Sequence, residues 1–198
     1  MKDTIVIDAR DHLLGRLSAV VAKELLNGNK IVVTHCEKVN ISGSFFRNKT
    51  HYLDYFQKRV NYNHKRGPFH FRDPAYIVRK TIRRMVPNKT VRGKQAMLRL
   101  QTYSGMPENY QTGHVVIPEA MRELRLKATR KYSVLGEIAA QIGWKHAEAT
   151  EVFEQKWAVA DAKRRAEYNH AYETACKNPE VAKMTEELKK YGYGIWVC

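Results

Sequence analysis

Acidic residues are in short supply. Twenty Asp and Glu face 35 Lys and Arg, which leaves a formal charge of +15 and a pI near 9.8. A compact chain tolerates that self-repulsion when its partner is polyanionic, which argues against an ordinary metabolic enzyme. Cysteine is scarce too. Cys36, Cys176 and Cys198 are odd in number and far apart, giving neither a disulfide framework nor metal-ligand spacing, and a reducing compartment is expected. No apolar run reaches the ~18 residues that a membrane span needs. Around Thr4-Ile5-Val6-Ile7 stand Asp3, Asp8 and Asp11, not the basic-then-apolar layout of a secretory leader. Repeats and low-complexity tracts are missing as well. What the 198 residues do contain, at 43% hydrophobic, is enough apolar material for the core of one domain with an appendage.

The positive charge is concentrated. Residues 58–99 hold 13 cations (Lys58, Arg59, Lys65, Arg66, Arg72, Arg79, Lys80, Arg83, Arg84, Lys89, Arg92, Lys94 and Arg99) against the single acid Asp73. A second patch, 122–131, holds Arg122, Arg125, Lys127, Arg130 and Lys131 against Glu123. Residues 137–190 are balanced, with nine bases and ten acids.

The periodicity predicts a buried strand at Thr4-Ile5-Val6-Ile7, a helix over 14–27 with Gly28 as its left-handed stop, and a second buried strand over 31–36. Strand, helix and strand within about 35 residues make a βαβ unit and imply a largely parallel sheet covered by helices. A short strand is expected over 39–42 and an amphipathic helix over 44–57, with Phe45, Tyr52 and Phe56 among its apolar positions. Asp73-Pro74 opens a further helix with an N-cap carboxylate and a first-turn proline, and Pro87 ends it. The pattern then predicts helix over 91–101, a last strand at Val115-Val116-Ile117 and helix over 132–142. A long helix over 147–176, a final helix over 180–191 and an apolar tail over 192–198 complete the chain.

In the helix after Asp73, Val78, Ile82 and Met85 share one face, and Arg79, Lys80, Arg83 and Arg84 form i, i+4 rows on the other. Like charges at that spacing cost a few tenths of a kcal/mol per pair. Four cations without an interleaved Glu therefore point to phosphates rather than to a merely solvated face. The preceding loop mixes charge with rings: Tyr62, His64, Lys65, Arg66, Phe69, His70, Phe71 and Arg72. Rings and guanidinium planes stack on splayed bases while cations hold the backbone, although Phe69 and Phe71 equally suit anchors into the core. Neither patch has the Asn, Gln or Arg pattern of base readout, so recognition by RNA shape is expected.

Catalysis is disfavoured. Mg²⁺-dependent phosphoryl transfer needs clustered carboxylates, and Asp73 stands alone. His64 and His70 form a nominal acid–base pair, but packed or RNA-contacting histidines are far commoner. The loop after the first strand has only Gly15, not the three glycines of a dinucleotide fingerprint, and Arg92-Gly93-Lys94 lacks the upstream glycine of a phosphate-binding loop. Cys36, on a buried strand, is expected to be plain core. Two further readings of these residues are a free-standing RNA-binding regulator and an RNA-processing enzyme using His64 and His70.

Several blocks resemble a known family in collinear order. Val6-Ile7-Asp8-Ala9-Arg10, His12-Leu13-Leu14-Gly15-Arg16-Leu17, Cys36-Glu37, Asn40-Ile41-Ser42-Gly43 and Phe46-Arg47-Asn48-Lys49 look like the universal large-subunit ribosomal protein L-thirteen family. Arg66-Gly67-Pro68-Phe69-His70-Phe71-Arg72, Met85-Val86-Pro87-Asn88-Lys89-Thr90, Lys127-Ala128-Thr129-Arg130-Lys131-Tyr132 and Leu135-Gly136 are similar to its eukaryotic form. The resemblance implies a three-layer α/β/α core with a small, mostly parallel sheet over 1–144, and a long C-terminal helical extension over 145–198. It also implies a structural constituent of the large ribosomal subunit, without enzymatic activity, cofactor, metal or small-molecule substrate. Its partners would be large-subunit rRNA and neighbouring ribosomal proteins, in the cytosolic ribosome after nucleolar assembly, with no membrane. The expected RNA-binding residues are Arg47, Lys49, Lys58, Arg59, Lys65, Arg66, His70, Arg72, Arg79, Lys80, Arg83, Arg84, Lys89, Arg92, Lys94, Arg99, Lys127, Arg130 and Lys131. The balanced extension points to a protein partner, with Trp157, Tyr168 and Tyr172 as candidate contacts, although packing within the chain suits these rings equally.

Overall fold

β-Branched residues favour extended backbone, and Ile5, Val6 and Ile7 supply three in a row. In the computed structural model, which describes residues 4–110, 113–177 and 184, they lie in β1 (Thr4–Asp8). α1 (Leu14–Leu26) follows, with Leu17, Val21 and Leu25 completely buried at i, i+4 and i+8. Burying each such side chain contributes roughly 1.5–3 kcal/mol. β2 (Lys30–Thr34) pairs parallel with β1 in unbroken register from Thr4 against Lys30 to Asp8 against Thr34. The βαβ unit expected from the sequence is present.

Beyond it lie β3 (Asn40–Ser42), α2 (Phe45–Gln57), α3 (Pro74–Met85), α4 (Val91–Leu98), β4 (Leu100–Thr102) and β5 (His114–Val115). α5 (Arg122–Arg125), β6 (Tyr132–Val134), α6 (Leu135–Gln141) and α7 (Ala147–Cys176) complete the described elements. The main sheet has the order β4-β2-β1-β5, and all its pairings are parallel. β3 and β6 form a separate antiparallel ribbon. α1 packs against α3 and α4, and Val78 and Ile82 of α3 are completely buried. The architecture is α/β with a mostly parallel sheet, flanking helices and a long C-terminal helix. The chain divides into two compact units, Met1–Phe153 and Glu154–Cys198. The expected helix over 180–191 and the tail over 192–198 lie outside the described residues.

Six sequence expectations need correction. The second strand stops at Thr34, because His35 turns into the left-handed region (φ 50°) and brings its imidazole to Asp8. Cys36 therefore sits in a short 3-10 turn and not on a strand, although it is fully buried as expected. The helix from Val91 ends at Leu98, and Leu100–Thr102 instead adds to the edge of the sheet, with Leu100 opposite Ile31. The strand expected at 115–117 is His114–Val115, which pairs with Val6 and Ile7, and it is not the last strand. Tyr132–Val134 is extended, not helical, because it pairs with β3, and the helix begins at Leu135. At Leu100–Thr102 and Tyr132–Val134, pairing with an existing edge overrides a local preference. Finally, Met85 is exposed, since α3 ends there and Val86 takes the buried position.

The carboxyl ends of the parallel strands are locked by polar contacts. Open α/β sheets bind ligands where the strand order reverses, which here is the crevice between β1 and β5. The buried imidazole of His12 occupies that place. Its Nδ1 donates to the Arg10 carbonyl at 2.7 Å, and its Nε2 accepts from the Ile117 N–H at 3.1 Å. Beside it, Asp8 accepts from the Arg10 side chain at 2.8 Å and from His35 Nδ1 at 3.1 Å. Burial raises the Asp8 pKa, but the bonds from His35 and Arg10 outweigh it and hold the carboxyl well below its ordinary range. A depressed carboxyl contributes stability above its unfolded value, about 3.9, and loses that contribution as the pH falls through the native value. Asp8→Asn is accordingly expected to lower stability by roughly 1–3 kcal/mol at neutral pH. Below pH 4 the deficit should shrink, because the unfolded chain takes up a proton at Asp8 that the native carboxylate still refuses, and urea unfolding across pH 2–7 checks both.

Candidate nucleic-acid interface

α3 is the spine of the basic belt. Asp73 caps it by accepting from the Ala75 N–H at 3.3 Å, and the carboxylate also takes the Ser104 hydroxyl at 2.8 Å. The belt's lone acid is thus occupied in the fold. None of the 13 cations over 58–99 forms an ion pair among the described residues. Neutral groups hold several of them instead.

α2 supplies those groups. Its inward residues Phe45, Tyr52 and Phe56 pack on the core, and burial pushes the Tyr52 phenol up. The Lys80 ammonium lies 4.7 Å from the Tyr55 ring centre, is hydrogen-bonded to the Tyr55 hydroxyl and donates to the Phe69 carbonyl at 3.3 Å. Arg84, one turn along α3, lies 6.0 Å from the same ring, and Arg72 lies 5.6 Å from the Phe56 ring. Each contact fixes a cation without cancelling its charge. Lys80, Arg83, Arg84 and Lys89 then converge around an open hollow of about 500 Å³ floored by Val86 and Pro87. Four cationic side chains border one concavity with no carboxylate in its lining, an arrangement that can take an anion. Gly93 helps to build it: a Cβ there would lie 2.1 Å from the Pro87 carbonyl oxygen, so the glycine allows α4 to close against the 87–90 turn. That explains Arg92-Gly93-Lys94 as packing.

The expected site residues are not equivalent. Lys58, Arg59, Lys65, Arg66, Arg72, Arg79, Arg83, Arg84, Lys89, Arg92 and Lys94 are exposed. Arg99 is half-buried and donates to the Leu25 carbonyl at 2.7 Å, a tie between β4 and α1. Lys49 donates to Gln141 at 2.8 Å. His70 packs edge-on to Tyr55 (4.3 Å, 83°), donates from Nε2 to the Lys58 carbonyl at 3.0 Å, and has a buried Nδ1 without a partner among the described residues. His64 is exposed and no hydrogen bond joins it to His70. Phe69 is exposed, and Phe71 stacks on Tyr76 at 5.0 Å, also at the surface, so neither ring is a core anchor.

In the second patch, Arg122 is taken up by Asp11 (3.7 Å), Glu123 (3.4 Å) and the Tyr132 ring (4.4 Å), while Lys127, Arg130 and Lys131 are exposed. Arg130 meets Arg47 at a separate hollow beside α2. That hollow also contains Phe46, His51 and Asp54, which the sequence reasoning missed. The available signal was α2's own period, which turns these residues outward. In the second unit, Trp157 is half-buried, Tyr168 and Tyr172 are exposed with stacked rings, and Asp161 pairs with Arg164 and Arg165 at 2.8 Å each.

Comparison with known proteins follows the same lines. The family model described as ribosomal protein L13 matches residues 2–109. The large ribosomal subunit protein uL13 of Spodoptera frugiperda is 46% identical over 196 residues, covering 96% of each chain.

His70→Ala is expected to lower stability by about 1–3 kcal/mol, since it removes a packed ring and a hydrogen bond. RNA affinity measured well below the melting temperature should change less than threefold. Thermal melting and filter binding on the same preparation check the two parts.

Proposed function

The chain belongs to the ribosomal protein L13 family, and from that premise we propose how it works as a structural constituent of the large ribosomal subunit. Large-subunit rRNA and other ribosomal proteins are its partners. In this proposal the α/β core, 1–144, is a rigid platform. The 58–99 belt neutralises crowded rRNA phosphates, and the exposed cations among 122–131 give a second attachment. The extension, 145–198, meets a neighbouring protein through Trp157, Tyr168 and Tyr172. The site of action is the cytosolic ribosome, with assembly in the nucleolus.

One observation carries the proposal: 13 cations without a carboxylate partner among the described residues, several of them held by rings and carbonyls. A solvated charged face interleaves acids, whereas a phosphate-binding face gains by excluding them. The family is structural, and we extend that to this chain as lacking catalysis. The packed state of His70 supports this, because a ring with one nitrogen committed and the other buried makes a poor proton shuttle.

With about eight phosphates engaged, affinity for folded rRNA fragments is expected to fall by roughly four decades between 50 and 200 mM salt. Replacing Arg83, Arg84 and Lys89 together by Ala should reduce the log–log salt slope by roughly 2–3. Binding titrations across that salt range measure both. In gradient sedimentation at physiological salt, the tagged protein should travel with large subunits. A chain that stays in the light fractions is a free-standing regulator instead.

A further inference from the structure

α2 turns Phe45, Tyr52 and Phe56 inward and leaves Phe46, Arg47, His51 and Asp54 on the opposite side. With Gly43 and Arg130 these line an open hollow of about 710 Å³, within the ~300–1,000 Å³ range of small-molecule sites. Its construction is fixed by the backbone. Gly43, at φ 113°, ends β3 in a conformation that only glycine adopts without strain, and its N–H donates to the Lys131 carbonyl at 2.9 Å. That bond ties the 130–131 segment to the end of β3, and Arg130 lines the hollow together with Arg47.

The contents differ from those of the belt. Phe46 is 79% exposed, a large apolar ring in a cationic setting. Asp54 is exposed and forms neither a hydrogen bond nor an ion pair among the described residues, although Arg47 and Arg130 line the same hollow. A phosphate is repelled by a carboxylate, so a second phosphate cradle is the wrong description. A base edge rich in N–H groups is attracted to it. Guanine presents N1–H and N2–H side by side and suits a carboxylate with two bonds. Uracil flanks its single N–H with two carbonyl oxygens and does not.

Phe46 and Asp54 are eight residues apart, about 12 Å along the helix axis. One base does not span that distance. We propose that the hollow takes two successive unstacked nucleotides of RNA, Phe46 stacking on one base and Asp54 reading the Watson–Crick edge of a guanine in the next. Arg47 and Arg130 hold the connecting phosphates. This rests on the ribosomal assignment and adds to it a point of base readout on a surface otherwise suited to RNA shape.

The test uses the full-length protein and two fluorescent single-stranded RNAs, a uridine heptamer and the same heptamer with one central guanosine. The wild type is expected to bind the guanosine form roughly tenfold more tightly. Asp54→Asn should erase that preference while tightening the uridine heptamer, because a negative charge leaves the phosphates' path. Phe46→Ala should weaken both RNAs about tenfold and keep the preference. Both side chains are exposed, and unchanged melting temperatures confirm that the variants fold. Equal affinities in the wild type, or a preference that survives Asp54→Asn, overturn the proposal. If the tagged protein still enters large subunits, the family function stands without it, and exclusion from subunits removes the premise as well.

Discussion

The belt depends on keeping carboxylates away from cations. Thirteen positive groups lie within 42 residues of sequence, and the one acid among them, Asp73, is occupied by a helix N-terminus and a serine hydroxyl. The fold therefore orders these side chains by means that leave their charge intact. Lys80 and Arg84 share the face of Tyr55, Arg72 lies over Phe56, and Arg99 is tied to a carbonyl of α1. A ring quadrupole or a carbonyl dipole attracts a cation without supplying a counter-charge. An ion pair would hold the same side chain as firmly and take its charge from the RNA. Preordering matters because both Lys and Arg lose substantial side-chain entropy when fixed. Ordering them in the free protein moves that cost from binding to folding.

The same logic accounts for the polar lock at the strand ends. In an α/β sheet of order β4-β2-β1-β5, the crevice beside β1 is where a ligand would be expected. Here His12 fills it, with one nitrogen donating and the other accepting, while the Asp8 carboxylate is closed in by His35 and Arg10. Main-chain bonds reinforce the seal: the Leu13 N–H reaches the Ala120 carbonyl and the Arg122 N–H reaches that of Asp11. The fold has used its usual ligand crevice to join the 9–13 and 117–122 segments.

Much of this was legible in one sequence, and the misses share a cause. The βαβ start was readable because β1, α1 and β2 each carry an uninterrupted apolar pattern, and Asp73-Pro74 is a local helix signal that needs no tertiary context. Two of the three-residue strands were not. Leu100–Thr102 and Tyr132–Val134 are too short for a period to emerge, and they are extended only because Ile31 and Ser42 offer them an edge. The belt was visible as a count of charges, but the count treats Lys80 and Lys94 alike. Whether a lysine lies over a ring or points to solvent depends on where α2 falls against α3. Asp54 escaped notice for the opposite reason: a single acid on an amphipathic helix carries no signal until Arg130, 76 positions away, is brought beside it.

The extension works by a different rule. In α7, Asp161 takes both Arg164 and Arg165, and Lys163 faces Glu167, so its charges pair at i+3 and i+4 along the same helix. Exposed pairs of this kind add little stability and leave little field outside the helix. Such a surface lacks the long-range positive field of the belt, and what it presents instead is aromatic, with Tyr168 and Tyr172 stacked and open. Tyrosines of that sort suit a protein surface, where burial of a ring is worth more than attraction to phosphate. The two units of this chain thus treat the same cationic side chains in opposite ways, and the difference lies in where the acids stand.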